Sequence, residues 1–283
     1  MMGALLYSQD ECIHAARNAL KLWGLDVVPS LFPYMVFCRM LSARLRLQRI
    51  PITVVSSLLG IMGGSPAGAA ALSIEEYPMP RAQLLSLCAL TGTMSPVFLY
   101  GTVGRWAQAT KTPPLLLPLV HILSALLCAL IIYLIAGRIP YMEKRTEYAY
   151  FKASKESGPI SESADAIVTV GGCIVFYSVV SALAAEITWL PKQLTIFIHA
   201  ILESAGGMYA IANAPYAENI RMGMLAAASG FSGFSILSQN HSFLGRLGIR
   251  FSDLVVIAIL RAAVSVMLMS MACMVIQASN SWR

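Results

Sequence analysis

Three ionisable side chains, His121, Glu203 and Arg261, stand inside long hydrophobic runs. A titratable group at membrane depth is costly enough to mark a place for an ion, a proton or a charged guest. Arg261 can neutralise an anionic guest, or it can pair with Glu203, since a buried guanidinium without a partner is expensive. His121 can relay protons or bond a neighbouring backbone group. Arg39 and Glu186 fall near the ends of apolar runs, where a long side chain reaches the interface.

Around these residues lie three polar interruptions. Gly63-Gly64-Ser65-Pro66 precedes the small residues Ala67 to Ala71, and proline suits a first helical position. A half-helix starting there aims free N–H groups and a positive dipole end at what precedes it, which suits an anion; the small residues serve close helix packing equally well. Thr91-Gly92-Thr93-Met94-Ser95-Pro96 splits a second run, and Ser229-Gly230-Phe231-Ser232-Gly233-Phe234-Ser235 splits a third. The third is followed by Ser238, Gln239, Asn240 and His241, a density of polar groups unsuited to a lipid-facing surface. Hydroxyls at such breaks replace lost backbone bonds and can also hold a guest. The expected substrate-binding set is Gly64, Ser65, Pro66, Thr91, Thr93, Ser95, Ser232, Ser235, Gln239 and Arg261. Glu203 and His121 are expected to form a gate or an ion pair.

The elements that must position these residues follow from composition. Of 283 residues, 57% are hydrophobic and only 12% charged, against about 25% charged in soluble domains, and mean hydropathy is +0.69. Runs long enough to cross a bilayer, about 20 residues each, cover 12–41, 82–107, 114–137, 164–187, 222–245 and 253–277. Shorter apolar pieces at 53–73 and 193–213 hold the phrases Gly63-Gly64-Ser65-Pro66-Ala67-Gly68-Ala69 and Gly206-Gly207-Met208-Tyr209-Ala210-Ile211-Ala212. A nearly constant offset also matches Leu84 with Leu225, Gly92 with Gly233, and Gly104-Arg105 with Gly245-Arg246. The expected fold is therefore an all-α polytopic membrane protein of two repeats. Residues 1–137 form the first, 138–163 a polar cytoplasmic connector, and 164–283 the second. Each repeat has three transmembrane helices, one of them broken, and a re-entrant helical hairpin.

Placing the basic connector inside leaves only Arg105, Lys111, Lys192, Arg221 and Arg283 outside. Three crossings per half then make the halves inverted, an arrangement that puts transporter sites near the midplane. The net charge of +6 marks cytoplasmic loops in a chain of this hydropathy, and no nucleic-acid partner is expected. The six cysteines are scattered singly, with no histidine at ligand spacing, and read as buried free thiols without a metal. No cofactor is expected. Met1 to Asp10 lacks a basic n-region, so the first crossing supplies its own targeting. The chain carries no GxSxG, HExxH, P-loop or GxGxxG in the required context, and catalysis is not expected. Nothing in the residues sets an oligomeric state; a homo-oligomer stays open.

Ser8-Gln9-Asp10-Glu11-Cys12, Ala15 to Trp23, and Val28-Pro29-Ser30-Leu31-Phe32-Pro33-Tyr34 resemble the opening of the sporulation integral membrane proteins of the YlbJ (SpoVV) type, within the nucleoside-recognition, or Gate, domain family. Gly64-Ser65-Pro66-Ala67-Gly68-Ala69 resembles the family's Gly-Tyr-Pro-x-Gly-Ala signature, with serine for tyrosine. Ser95-Pro96-Val97-Phe98-Leu99-Tyr100-Gly101 resembles its second motif, with serine for glycine before the proline. The resemblance implies a multipass protein of the cell or forespore membrane of endospore-forming bacteria that moves dipicolinate, a small planar dicarboxylate. A nucleoside or nucleobase permease and a nontransporting sporulation scaffold are the alternatives.

Overall fold

The computed structural model describes residues 9–47, 50–73, 79–107, 112–137, 158–185 and 191–280, and every element among them is helical. Glu186 and residues 138–157 of the connector lie outside the described residues. The chain opens with α1 (Gln9–Leu22), a π-helical stretch (Trp23–Val27) and α2 (Val28–Leu47). The run expected as one crossing at 12–41 is thus bent, by 52°, between Val27 and Leu31, just after the π-helix and at Pro29. A hairpin follows, of α3 (Ile52–Gly63) and the short α4 (Ala67–Leu72). Next come α5 (Arg81–Thr91) and α6, which runs from Pro96–Phe98 through a π-helical stretch (Leu99–Val103) to Gly104–Trp106; α7 (Leu116–Ala136) ends this half.

The same order then recurs. α8 (Pro159–Ala185) is followed by a hairpin of α9 (Lys192–Leu202) and α10 (Ser204–Ala212), a broken helix of α11 (Glu218–Phe231) and α12 (Gly233–Leu244), and α13 (Phe251–Asn280). The helix expected from 164 begins five residues earlier, since Pro159 and the polar Ser161 to Ser163 form its first turn. Five helices among the described residues are long and apolar enough to cross a membrane, counting each broken pair as one; the bent α1–α2 makes up to six. This is a multi-pass membrane protein.

Close approach fixes how the hairpins fold. A Cβ on Gly60 would stand 2.6 Å from Leu90 O and from Thr91 Cα, and one on Gly68 would stand 2.5 Å from Gly60 Cα, so α3, α4 and α5 meet backbone to backbone. In the other hairpin a Cβ on Gly207 would overlap Ala200. The second glycine phrase does not form the turn of its hairpin. Gly206 to Ala212 are helical, and the chain reverses at Glu203, whose φ −130°, ψ 116° is extended.

Two large apolar clusters hold these pieces together. One joins Ala69 and Leu72 of α4, Leu84 and Leu87 of α5, Cys128 near the end of α7, Leu237 and Leu244 of α12, and Leu254 and Ile257 near the start of α13. The other joins Met208 and Ile211 of α10, Met222 and Leu225 of α11, Leu99 and Val103 of α6, Leu117 and Val120 at the start of α7, and Met269 late in α13. Each cluster thus takes a hairpin and the first limb of a broken helix from one half and the second limb from the other. Opposite ends of α7 and α13 share each cluster, so these helices run antiparallel. A third cluster, with Ala19, Met35, Ala166 and Val170, packs α1 and α2 along α8, and Trp23 Nε1 donates to Ile167 O at 3.1 Å.

Polar clasps close the two ends. Arg81, first in α5, binds Asp253 of α13 at 2.6 Å, and Asp253 also accepts the Arg250 N–H at 2.9 Å. Glu218, first in α11, accepts the Thr112 N–H at 2.7 Å and its hydroxyl at 2.5 Å, just before α7. Arg39, expected to reach for the interface alone, instead forms an ion pair with Glu162, tying α2 to α8. The cysteines are free thiols, four buried and two half-buried.

Candidate functional site

The two broken helices are interrupted by different means. Thr91 ends α5, Gly92 leaves the helix, and Ser95 is extended because a residue before proline avoids the helical region; Pro96 then takes the first position of α6. In the second break Ser232 itself adopts the left-handed conformation, φ 69°, and Gly233 follows at φ 75°. Ser232 is the one non-glycine residue with positive φ among the described residues. Strain of this kind costs on the order of 1–3 kcal/mol and persists where surrounding bonds over-determine it. Here the Ser232 hydroxyl donates to Ser229 O at 3.0 Å and accepts from Arg261 Nη2 at 2.8 Å.

Arg261 is 1% exposed and connects both breaks. Its Nε donates to Gly230 O at 2.7 Å, near the end of α11, and its Nη1 to Ala89 O at 3.2 Å, near the end of α5. The last carbonyls of a helix have no partner within it, and they form the negative end of its dipole. One guanidinium therefore caps two helices whose continuations were cut. Three of its five N–H groups are engaged this way. No carboxylate lies within ion-pair distance of it among the described residues, so the expected pairing with Glu203 does not form.

Glu203 caps its own hairpin instead. Its carboxylate accepts the N–H of Ala205 at 3.1 Å and of Gly206 at 2.6 Å, filling the N-terminus of α10 with a resident anion. The tip of the first hairpin has no such carboxylate. Gly64, at φ 72°, lies where any Cβ would strike Ser95 N and Met94 C. The Ser65 N–H donates to Thr93 O at 2.6 Å, and the Thr93 hydroxyl donates to Gly60 O at 2.7 Å. Pro66, joined to Ser65 by a cis peptide, stands just before α4 as its cap and not as its first helical residue. This tip is docked into the first break, and Ser65 Oγ reaches across to Asn240 Oδ1 of α12 at 2.7 Å.

That last bond turns the Asn240 amide toward the first break. A Cβ on Gly92 would stand 3.1 Å from Asn240 Nδ2, a tight contact, and 3.8 Å from Arg261 Nη1, so both groups border this position. Ser65, Thr93, Gly92, Asn240, Arg261 and Ser232 thus make one connected polar patch across the two halves. His121 joins it from α7: its Nε2 accepts the Met94 N–H at 3.1 Å, which leaves its ring proton on Nδ1. Asn240 and the cap role of Arg261 are the residues and contacts that sequence reading misses. The polar run from Ser238 to His241 points to the segment without singling out position 240.

Some polar atoms in this region have no partner. Thr91 Oγ1, His121 Nδ1 and Ser235 Oγ are buried and unbonded. Buried polar atoms are bonded in the great majority of cases, so three orphans at or beside two helix breaks leave donors and acceptors open to a guest or water. Gln239 is buried with them, and Ser95 is half-buried. Thr91, Ser235 and Gln239 are unengaged, whereas Thr93 and Ser232 serve the backbone. The patch offers one positive charge and several neutral donors.

No family model matches the chain, and no solved structure matches it significantly. The chain is similar to the sporulation integral membrane protein YlbJ of Bacillus subtilis (strain 168), at 23% identity over 312 aligned positions that cover 90% of this chain and 76% of that protein. The similarity runs through both halves and relates the chain to proteins of the YlbJ type.

Proposed function

We propose that this relative of YlbJ is a secondary transporter that binds a small organic anion, with dipicolinate as the first candidate, between two inverted halves. The carrying observation is Arg261: a buried guanidinium without a carboxylate partner among the described residues, held at two helix breaks beside unbonded hydroxyls. Its partners are two helix-end carbonyls and one hydroxyl, which leaves a full positive charge for an anion to meet. The inverted reading draws support from the repeated element order, the exchange of limbs between the two apolar clusters, and the antiparallel run of α7 against α13. The forespore or cell membrane is the proposed setting, from what the relative is called.

The second reading is a nucleoside or nucleobase permease. The neutral donors Asn240, Thr91 and Ser235 favour it, because such guests are read by hydroxyls and amides. A ligand that binds only the folded state raises apparent stability, so melting of the purified protein with dipicolinate and with nucleosides separates the two. Stabilisation by dipicolinate, together with its uptake into proteoliposomes, supports the anion reading. Stabilisation by nucleosides alone overturns it, and no shift with either favours a scaffold that moves nothing.

A further inference from the structure

The second hairpin holds a buried acid that the anion site does not use. Glu203 is 3% exposed, and among the described residues its carboxylate bonds only two backbone N–H groups of α10. No cation lies within ion-pair distance among the described residues. Beside it stands His199, half-buried, on the facing limb α9. The two meet over Gly206: a Cβ on Gly206 would stand 2.8 Å from His199 Nε2 and 3.1 Å from Glu203 Oε2. With no side chain at this position, the imidazole and the carboxylate face each other across Gly206, beyond ion-pair distance, which gives the first glycine of the second phrase a chemical purpose apart from helix packing.

We infer that His199 and Glu203 form a proton-carrying site that couples the transporter to a proton gradient. This rests on the transporter reading above. A proton from the aqueous side adds to the imidazole and passes through a bridging water to a carboxylate oxygen, which leaves a neutral ring and a neutral carboxyl; the return step releases it. The carboxylate sits beside the anion patch, because Ser204 packs on Gly233 of the second break, where a Cβ would stand 3.1 Å from Ser204 N. Loading the proton therefore removes a resident negative charge from the flank of a site that takes an anion. That is the sense required for symport of the two.

Several titratable groups on the packed elements are engaged away from this pair, while Arg221 of α11 keeps a buried Nε without a partner among the described residues. Tyr177 of α8 bonds Ser238, His241 of α12 lies edge-on to Phe251, Glu218 of α11 binds Thr112, and Arg105 of α6 donates to Gly101 O. Tyr209 of α10 stacks edge-on with Trp106. Arg261 is the charge on the far side, behind Ser232.

The test uses the full chain in proteoliposomes with the membrane potential clamped, following dipicolinate uptake with and without an inward proton gradient. In the wild type the gradient accelerates uptake several-fold. In Glu203→Gln, which keeps an oxygen to cap α10, and in Gly206→Val, which separates ring from carboxylate, the ratio of the two rates falls to unity. Uptake by Glu203→Gln that still follows the gradient overturns the inference. Infrared titration of the same vesicles without cargo decides the proton site independently: a protonated carboxyl band is expected in the wild type and is absent from Glu203→Gln. Lack of such a band in the wild type also overturns the inference. The band without dipicolinate uptake in any variant leaves the proton site standing and sinks the cargo assignment.

Discussion

Ser265 donates its hydroxyl to Ser124 at 2.8 Å, and the two residues stand 141 positions apart, the interval that also separates Leu84 from Leu225 and Gly92 from Gly233. A residue touches its own repeat equivalent only where the axis relating two halves passes. On the inverted reading that axis lies between the middles of α7 and α13. Ser124 in turn donates to His121 O at 2.8 Å, so the axis runs close to the polar patch.

This crossing is tight and predicts its own fragility. A Cβ on Gly230 would stand 2.7 Å from Ala262 Cα and 2.8 Å from Ser265 Oγ. Gly230→Val is expected to push α11 off α13 and lower the melting temperature of the purified protein. Ser265→Ala should cost little, since interhelical hydrogen bonds in membranes average about 0.6 kcal/mol. A Gly230→Val protein that melts like the wild type contradicts this packing.

Arg261 carries more. Arg261→Met leaves the carbonyls of Gly230 and Ala89 without a partner, and bonds to charged groups contribute roughly 1.5–3 kcal/mol each. The expected outcome is poor folding and no uptake. Arg261→Lys retains the charge but cannot span three acceptors, and it should fold with reduced stability. Chemical unfolding in detergent compares the two, and equal stability of the Met and Lys variants would refute the capping role.

Orphaned hydroxyls separate binding from folding. Thr91 Oγ1 and Ser235 Oγ bond nothing among the described residues, so Thr91→Val and Ser235→Ala lose no bond seen there. Both should melt within about 1 kcal/mol of the wild type while weakening cargo affinity by roughly tenfold, which corresponds to about 1.4 kcal/mol. Isothermal titration with dipicolinate and with a nucleoside reads this directly. Unchanged affinity for both ligands would place the guest elsewhere.

Asn240 offers a charge test. Asn240→Asp is nearly isosteric and can still accept from Ser65 Oγ, but it brings a negative charge to the Gly92–Arg261 face. Anion uptake should fall far more than stability does. A variant with normal dipicolinate uptake would remove Asn240 from the site.

The sequence makes the helices, the two hairpins and both breaks legible, because glycine, proline and serine clusters act locally on the backbone. Thr91 to Pro96 breaks where expected, and Ser232 falls within the stretch read as the second break. What side chains do across the fold is less legible. Arg261 and Glu203 read as natural partners by charge alone, yet each is taken by the end of a helix nearer to it, and that choice depends on tertiary placement. Gly206 and Gly207 look like a turn by analogy with Gly63 and Gly64. In the structure the turn sits at Glu203, and the glycines answer to Ala200 and His199 on the facing limb.

The backbone contacts of Gly60 with Leu90 and Thr91, and of Gly68 with Gly60, have a mechanical result. With no side chains between them to change rotamer, α3, α4 and α5 form a single stiff plate, and the first hairpin has no independent swing. On the transporter reading, a guest reaching the first break comes past the plate's edge as the whole plate shifts, and the stroke is that of a rigid slab and not of a flexing flap.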